Sequence, residues 1–418
     1  MDQMRLVKIR QHFEAPTVPD LAEGVRDEVG QLLQQYQLEP ASRVGITAGS
    51  RGINDAVEVY KATVELLKEE GHQPFLFSSM GSHGRGTADG QCELLGSLGV
   101  TEAKIGAPVL CSSEVVQLGE TADPLPGLPV YASKEAAEAD GILAINRIKP
   151  HTSFHGPYES GLMKMLAVGM GRDKGASMVH RLGWSSMVES IESIGGAVLE
   201  WLPVIGGLAI IENAHEETAL LKGLPGSEIL ESETQLLELA RTFMPYLPID
   251  RADLCVLREM GKNYSGTGMD TNIIGRLRLQ GIPEPTEPAI QFLAVLDLSE
   301  ASHGNATGIG LADFTTERLV EKIDYEATYL NCLTSGGPIR AAVPMTLPTD
   351  KALFEAVWQA LKPERVSEVR LLVAQNTLHL EELWISEALL EEMKEREDVE
   401  IVGEPFPLEF DSGGSMIL

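Results

Sequence analysis

Three histidines and three lysines lie within one short, basic stretch of an otherwise acidic chain. The stretch runs from Asn146 to His180. Extended to Gly141–Arg181, it contains six basic and two acidic residues, whereas the 418-residue chain has a formal net charge of −29. It is rich in glycine and follows an apolar run that predicts a strand. A glycine-rich, locally positive segment after a strand indicates a binding site for a small anion.

Lys164 lies among apolar residues in a helical frame. Burial there would lower the pKa of its amine and make it nucleophilic enough for covalent attachment. The alternative is a lysine whose stem is buried and whose ammonium group reaches solvent. His180 follows sixteen residues later, close enough to reach the same pocket.

His151 follows Lys149 and Pro150, which favours extended backbone and puts the histidine at the tip of a loop. His155 comes four residues later, a metal-ligand spacing if the segment were helical. Pro150 and the pair Gly156-Pro157 oppose a helix, so we do not expect a zinc pair here.

Two further glycine-rich loops follow predicted strands. Strands at Arg43–Thr47 and Pro74–Ser79, joined by a helix from about Asn54, predict a parallel βαβ unit over residues 43–79. The loops after these strands should therefore lie at the same edge of the sheet, where open α/β folds bind ligands.

The first loop, Ser50-Arg51-Gly52, could hold a phosphate through backbone N–H groups, a helix N-terminus and a guanidinium. Its glycine could equally serve the backbone alone. In the second loop His83 lies between glycines, which leaves its ring open for acid–base chemistry. A lone histidine can also be structural.

Strand and helix patterns alternate along the chain, which predicts two α/β domains with mainly parallel sheets. The proline pair in Pro245–Pro248 suggests a division into residues 1–248, which carry the candidate residues above, and residues 249–418, which we expect to contribute substrate contacts. We expect the active site in the cleft between them.

Composition excludes several classes of protein. A sequence pI near 4.7 argues against a nucleic-acid partner. The charged N-terminus does not resemble a secretory signal, and the longest apolar stretch, Trp201–Ile211, is too short to span a membrane. The four cysteines are far apart in sequence, which favours buried thiols in a reducing cytosol. We therefore expect a cytoplasmic protein; a homo-oligomer is compatible with the sequence.

Together these residues resemble the nickel-dependent lactate racemases and their superfamily of 2-hydroxy-acid racemases and epimerases. The resemblance rests on Arg51, on His83 in its Gly-Ser-His turn, on His151 in the Lys-Pro-His loop, on Lys164, and on His180. It implies a nickel-pincer nucleotide carried by Lys164 as a thioamide, with His180 as a nickel ligand and Arg51 at the phosphate. His83 and His151 would then be the acid/base pair for reversible hydride transfer from C2 of a 2-hydroxy acid.

The likeness covers the N-terminal half in order and spacing and is thinner afterwards. Ala48 replaces an expected aspartate, and Ile274-Gly275 stand where substrate-binding Tyr-Gln is expected. Arg278 takes the place of the family's substrate-binding lysine. Candidates for binding the substrate carboxylate are Arg85, Arg147, Lys149 and Arg278. Separate enzymes would have to supply the cofactor.

Two other functions compete with a racemase. One is an anion- or sugar-acid-binding protein of the same fold without the cofactor. The other is a hydrolase or lyase with a histidine-ligated metal. The sequence shows no compact carboxylate–histidine cluster, which argues against this function.

Overall fold

Two α/β units make up the described part of the chain. The computed structural model describes residues 3–50 and 52–418. One unit spans Glu14–Met244, and the other combines the segment before it with Pro245–Leu418. Each contains a sheet whose parallel strands pack against helices, so the prediction of an α/β fold with mainly parallel sheets is confirmed.

The elements of both units are as follows. The strands are β1 (Arg5–Gln11), β2 (Arg43–Ala48), β3 (Gln73–Ser78), β4 (Val109–Leu110), β5 (Val115–Glu120), β6 (Pro129–Ser133), β7 (Gly141–Arg147), β8 (Val204–Glu212), β9 (Thr218–Pro225), β10 (Arg251–Leu257), β11 (Ala289–Val295), β12 (Phe314–Thr316), β13 (Met345–Leu347), β14 (Leu371–Ala374), β15 (Glu382–Ser386), β16 (Val399–Pro407), β17 (Glu409–Phe410) and β18 (Met416–Ile417). The helices are α1 (Leu21–Tyr36), α2 (Ala56–Glu69), α3 (Ala88–Ser97), α4 (Glu102–Ile105), α5 (Lys134–Ala137), α6 (Leu162–Lys164), α7 (Arg172–His180), α8 (Met187–Trp201), α9 (Ile229–Thr242), α10 (Thr271–Ile274), α11 (Glu317–Glu321), α12 (Tyr325–Thr334), α13 (Asp350–Leu361) and α14 (Leu390–Lys394).

A six-stranded sheet forms the centre of the unit of residues 14–244, in the order β4-β3-β2-β7-β8-β9. All neighbouring pairs are parallel except β8 and β9. β2, α2 and β3 form the βαβ unit predicted over residues 43–79, and the two strands are parallel as expected. Because β2, β3 and β7 run in the same direction, the turns that follow them lie along one edge of the sheet.

Both faces of this sheet are buried, and alternate side chains of one strand enter different cores. In β7, Ile142 and Ala144 belong to one apolar cluster, whereas Leu143 and Ile145 belong to the other. Helix α8 packs in the first cluster and α2 in the second. Burial of an aliphatic side chain of this kind contributes roughly 1.5–3 kcal/mol. The two cores therefore hold firmly the strands whose ends carry the candidate site.

The second unit has an eight-stranded sheet in the order β13-β12-β11-β10-β14-β15-β1-β16. Its first five strands are parallel, and β15, β1 and β16 are antiparallel. The predicted division into 1–248 and 249–418 differs from this arrangement at the N-terminus, because β1 belongs to the second unit. There Leu6, Val7 and Ile9 are fully buried between β15 and β16. Across the described residues, no helix has the length and apolar composition that crossing a bilayer requires.

Candidate active site

The loop after β7 is closed on itself and carries His151. Its ends are joined by two backbone hydrogen bonds, from Lys149 N–H to Ser160 (2.9 Å) and from Ser160 N–H to Lys149 (3.2 Å). Inside it the carboxylate of Glu159 accepts the N–H groups of His151 at 2.5 Å and of Gly156 at 3.0 Å. The position of His151 is thus set by a carboxylate eight residues further along the chain.

Glu159 is fully buried and is the centre of a small charged network. Arg241 from α9 contacts its carboxylate at 2.5 Å, and His155 Nδ1 lies 3.3 Å away. Burial alone would raise the pKa of Glu159, but the His155 contact, the two backbone donors and the Arg241 charge outweigh it and lower the pKa. Sequence analysis missed this residue. A signal existed, since Glu159 is the only acidic residue between Gly141 and Arg172.

A second buried carboxylate caps the short helix that carries Lys164. Glu233 of α9 accepts the N–H of Met163 at 2.8 Å, at the beginning of α6. The approach is so close that a Cβ on Gly161 would lie 2.2 Å from its Oε1, so any other residue there would displace the carboxylate. Burial raises the pKa of Glu233 to about 7. The backbone hydrogen bonds to its carboxylate lower the pKa, but their effect is smaller.

Lys164 ends α6 and is followed directly by a π-helical turn, Met165–Gly169. Turns of this kind are rare and occur frequently at functional sites. After it the chain turns through Gly171, where a Cβ would lie 2.7 Å from the backbone of Gly175, and continues as α7 to His180. This path returns the chain towards Lys164, whose charge acts on the His180 ring.

Aromatic side chains connect these residues into one cluster. The ring centroids of His151 and Phe154 are 4.3 Å apart, and those of His180 and Trp184 are 5.7 Å apart. Phe154 and Trp184 are 6.4 Å apart, and the Lys164 ammonium lies 5.5 Å from the centroid of Phe154. The structure therefore brings together three of the predicted residues, His151, Lys164 and His180.

His180 is neutral at physiological pH. Burial and the charge of Lys164 lower the pKa of its imidazole to about 4. Its accessible area, by contrast, is that of an exposed residue, and contact with solvent favours the charged ring. Both observations lead to the same state, because even an unperturbed histidine is mostly neutral at pH 7. A neutral imidazole is the form that binds a metal.

The ring of His151 has a defined tautomer. Its Nδ1 accepts the N–H of Ser153 at 3.1 Å, so in the neutral ring the proton is on Nε2. His151 therefore presents a hydrogen-bond donor at Nε2. To act as a base at that nitrogen it would have to lose the hydrogen bond from Ser153.

His83 lies on the turn after β3 and contacts the turn after β2. Its Nδ1 makes a short hydrogen bond with the hydroxyl of Ser50. The backbone of the turn is held by Gln91 of α3, which donates to the carbonyls of Gly81 (3.3 Å) and His83 (3.4 Å). Gly84 has φ +62°, and a Cβ there would lie 2.6 Å from the backbone of Gln91. The glycines flanking His83 therefore have backbone roles of their own.

Both turns pack against the π-helical turn that follows Lys164. The α-carbon of Gly49 faces Met165, whose methyl group would lie 3.1 Å from a Cβ at that position. Gly81 donates its N–H to the carbonyl of Gly169 at 3.2 Å. The predicted residues Ser50 and His83 thus lie on turns adjoining the segment that carries Lys164.

The predicted phosphate loop is less simple than its sequence indicates. Arg51 lies outside the described residues, and Gly52 is exposed. The N–H of Asn54, just after this loop, donates to Glu212 at 2.8 Å. Glu212 also pairs with Arg147. An anion at this N–H would have to displace a carboxylate.

The predicted substrate cations differ in their surroundings. Arg147 is engaged by Glu212. Arg278 donates to Asp313 at 2.6 Å and to the carbonyl of Gly310 at 2.7 Å. Lys149 is tied through its backbone to the loop closure. Arg85 is exposed and lies two residues after His83, with φ +60°.

Comparison with known proteins gives a likeness of fold. No protein-family model and no curated protein sequence matches the chain. Among solved structures, the lactate racemase apoprotein from Thermoanaerobacterium thermosaccharolyticum is similar, with a TM-score of 0.54 and 11% sequence identity. The match covers 88% of this chain and 94% of that one. At this identity the likeness shows a shared fold and nothing about the substrate.

Proposed function

We propose that the protein is a racemase or epimerase of a 2-hydroxy acid that uses a nickel-pincer nucleotide. The observation that carries the proposal is the proximity of Lys164 and His180, a primary amine beside a neutral imidazole in one aromatic cluster. His151 belongs to the same cluster, and His83 lies on a turn that packs against the segment after Lys164. The shared fold with a lactate racemase supports the same function.

The residues present fit the cofactor that the resemblance implies. Lys164 would hold it covalently through a thioamide, and His180 would complete the coordination of nickel. Among the described residues no three His, Cys, Asp or Glu side chains form a metal-binding group, so the protein would supply few ligands of its own. Nickel suits a set of sulfur donors with one imidazole nitrogen. When bound, this group supplies reversible acceptance of hydride from C2 of the substrate.

His83 and His151 would hold and move the proton of the substrate hydroxyl. Two imidazoles are needed because the enantiomers present this hydroxyl on opposite sides of the cofactor. The two are not equivalent. The hydroxyl of Ser50 can accept from or donate to His83 Nδ1, which allows His83 Nε2 to act as base or acid. In the tautomer that accepts the Ser153 N–H at Nδ1, His151 Nε2 carries a hydrogen and can donate a hydrogen bond to the substrate oxygen. To take up or release a proton at Nε2, the ring would need a proton on Nδ1 and would lose the hydrogen bond from Ser153.

Arg85 is the best candidate for binding the substrate carboxylate. Arg147 and Arg278 would first have to leave the carboxylates of Glu212 and Asp313. Arg85 is exposed on the same turn as His83, so one turn would supply both an acid/base group and a cation. An Arg–carboxylate pair can be bidentate, which fixes the orientation of the acid.

A substrate screen tests the proposal. The protein is produced together with the enzymes that make the cofactor, then incubated with single enantiomers of 2-hydroxy acids, and the products are separated by chiral chromatography. Conversion to the other enantiomer or epimer, lost in Lys164→Ala and kept in Lys174→Ala, is expected; Lys174 is an exposed lysine of α7. Binding of hydroxy acids without turnover, by protein with no attached cofactor, would instead identify an anion- or sugar-acid-binding protein.

A further inference from the structure

Two of the four cysteines lie side by side in the unit of residues 14–244. Cys92 of α3 and Cys111, which follows β4, are nineteen positions apart in sequence, and their Sγ atoms are 2.7 Å apart. Cys92 is exposed and Cys111 partly buried, whereas Cys255 and Cys332 are buried in the other unit. The expectation of buried thiols is confirmed for Cys255 and Cys332, is met only in part by Cys111, and is wrong for Cys92.

We propose that Cys92 and Cys111 form a reversible redox-modification site that is oxidised to an intramolecular disulfide by low-molecular-weight disulfides of the glutathione type. Cys92 is exposed, so an external disulfide can reach its sulfur. Cys111 lies beside Cys92, so the second sulfur–sulfur exchange takes place within the molecule. The argument for this site does not rest on the proposed racemase function, because it uses only the positions and exposure of the two thiols.

The reaction is two successive thiol–disulfide exchanges. The Cys92 thiolate attacks one sulfur of the external disulfide, forming a mixed disulfide and releasing one small thiolate. Cys111 then loses its proton, attacks the Cys92 sulfur and releases the second small thiolate. The protein loses two electrons and two protons, and the external disulfide is reduced to two thiols.

The surroundings of the two sulfurs define the order of these steps. Burial, followed by the hydrogen bond and charge of Cys92, raises the pKa of the Cys111 thiol to about 12, while the Arg172 guanidinium opposes the shift. Cys111 is therefore a poor first nucleophile. Once Cys92 is in a mixed disulfide, its hydrogen bond and charge no longer raise the pKa of the Cys111 thiol, while the Arg172 guanidinium still lowers it.

A disulfide at this place would restrain the turn that carries His83. Cys92 directly follows Gln91, whose side chain holds the carbonyls of Gly81 and His83. Cys111 lies at the start of the connection to β5, where Arg172 donates to the Glu114 carbonyl at 2.7 Å. Cross-linking would tie α3 to this connection and so reduce local opening of the His83 turn.

The test uses the full-length protein and oxidised glutathione. Wild type should lose two of its four titratable thiols, counted after denaturation, and non-reducing peptide mapping should give one Cys92–Cys111 cross-link that dithiothreitol reverses. Cys111→Ser should stop at a glutathione adduct on Cys92, and Cys92→Ser should react far more slowly. Both replacements are close in size to cysteine, and circular dichroism checks that the variants are folded.

Hydrogen exchange of the reduced and oxidised wild type tests the restraint. Exchange across residues 81–97 should slow on oxidation, while α13 in the other unit serves as the internal control. A wild type that stops at a mixed disulfide on Cys92, or that gains no adduct, overturns the proposed site. A cross-linked protein with unchanged exchange at residues 81–97 overturns the coupling to His83.

Discussion

Glu233 offers a quantitative test of how the Lys164 segment is built. It is buried beneath the beginning of α6, and its pKa is raised from 4.5 to about 7. A shift of this size corresponds to about 3 kcal/mol. Because the folded state binds the proton more tightly, Glu233 stabilises the fold fully below its unfolded pKa. That contribution is lost as pH rises through the folded pKa, so the loss is expected between about pH 4.5 and 7.

Glu233→Gln removes the titration and keeps an oxygen that can accept the N–H of Met163. The free energy of unfolding, measured in urea from pH 4.5 to 8, should therefore fall with pH by about 3 kcal/mol more in wild type than in the variant. Glu231→Gln is the matched control, since Glu231 is an exposed residue of the same helix. Parallel pH profiles for wild type and Glu233→Gln would refute the burial of a titrating carboxylate under α6.

Three further outcomes are expected from the candidate site. Glu159→Gln should lower the free energy of unfolding by about 2–3 kcal/mol in urea titrations, because it leaves buried donors without a charged acceptor. The control is Glu238→Gln, at an exposed residue that also pairs with Arg241, and it should change the free energy of unfolding little. Equal effects of the two variants would contradict the buried network. His180→Ala should retain the organic part of the cofactor by intact mass while losing nickel by elemental analysis; unchanged nickel content would remove His180 from the metal site. Replacing His83 or His151 by Ala should reduce racemisation about 10²–10⁴-fold with cofactor retained, and near-normal turnover would make these histidines structural.

The local elements and the turns after strands could be predicted from sequence because their signals are local. Alternating strand and helix patterns gave the βαβ unit of residues 43–79, and parallel strands necessarily bring the Ser50 and His83 turns to one edge. Lys164 and His180 share a glycine-rich segment, so their proximity could be predicted from their short separation in sequence. The strands that pair with β1 could not be predicted in this way, because β15 and β16 lie more than 370 residues further along the chain.

The carboxylates and the cysteine pair were missed for a different reason. Glu233 looks like an ordinary surface residue in sequence, and the packing of α9 against the Lys164 segment buries it. Glu159 has a local signal in its basic stretch, but its partner Arg241 lies eighty-two residues later. The contact of Cys92 with Cys111 depends on how α3 lies beside the end of β4. The ion pair of Arg278 likewise depends on Asp313, thirty-five residues later. Such contacts have no periodic signal.

The most direct test of the central claim is peptide mass spectrometry with nickel analysis of protein produced together with the cofactor-forming enzymes. We expect the cofactor mass on the peptide containing Lys164, together with bound nickel, and neither in Lys164→Ala, whereas Lys174→Ala should match wild type. Cofactor attached to another lysine, or absent from wild type under conditions that load a known nickel-dependent lactate racemase, would contradict the account.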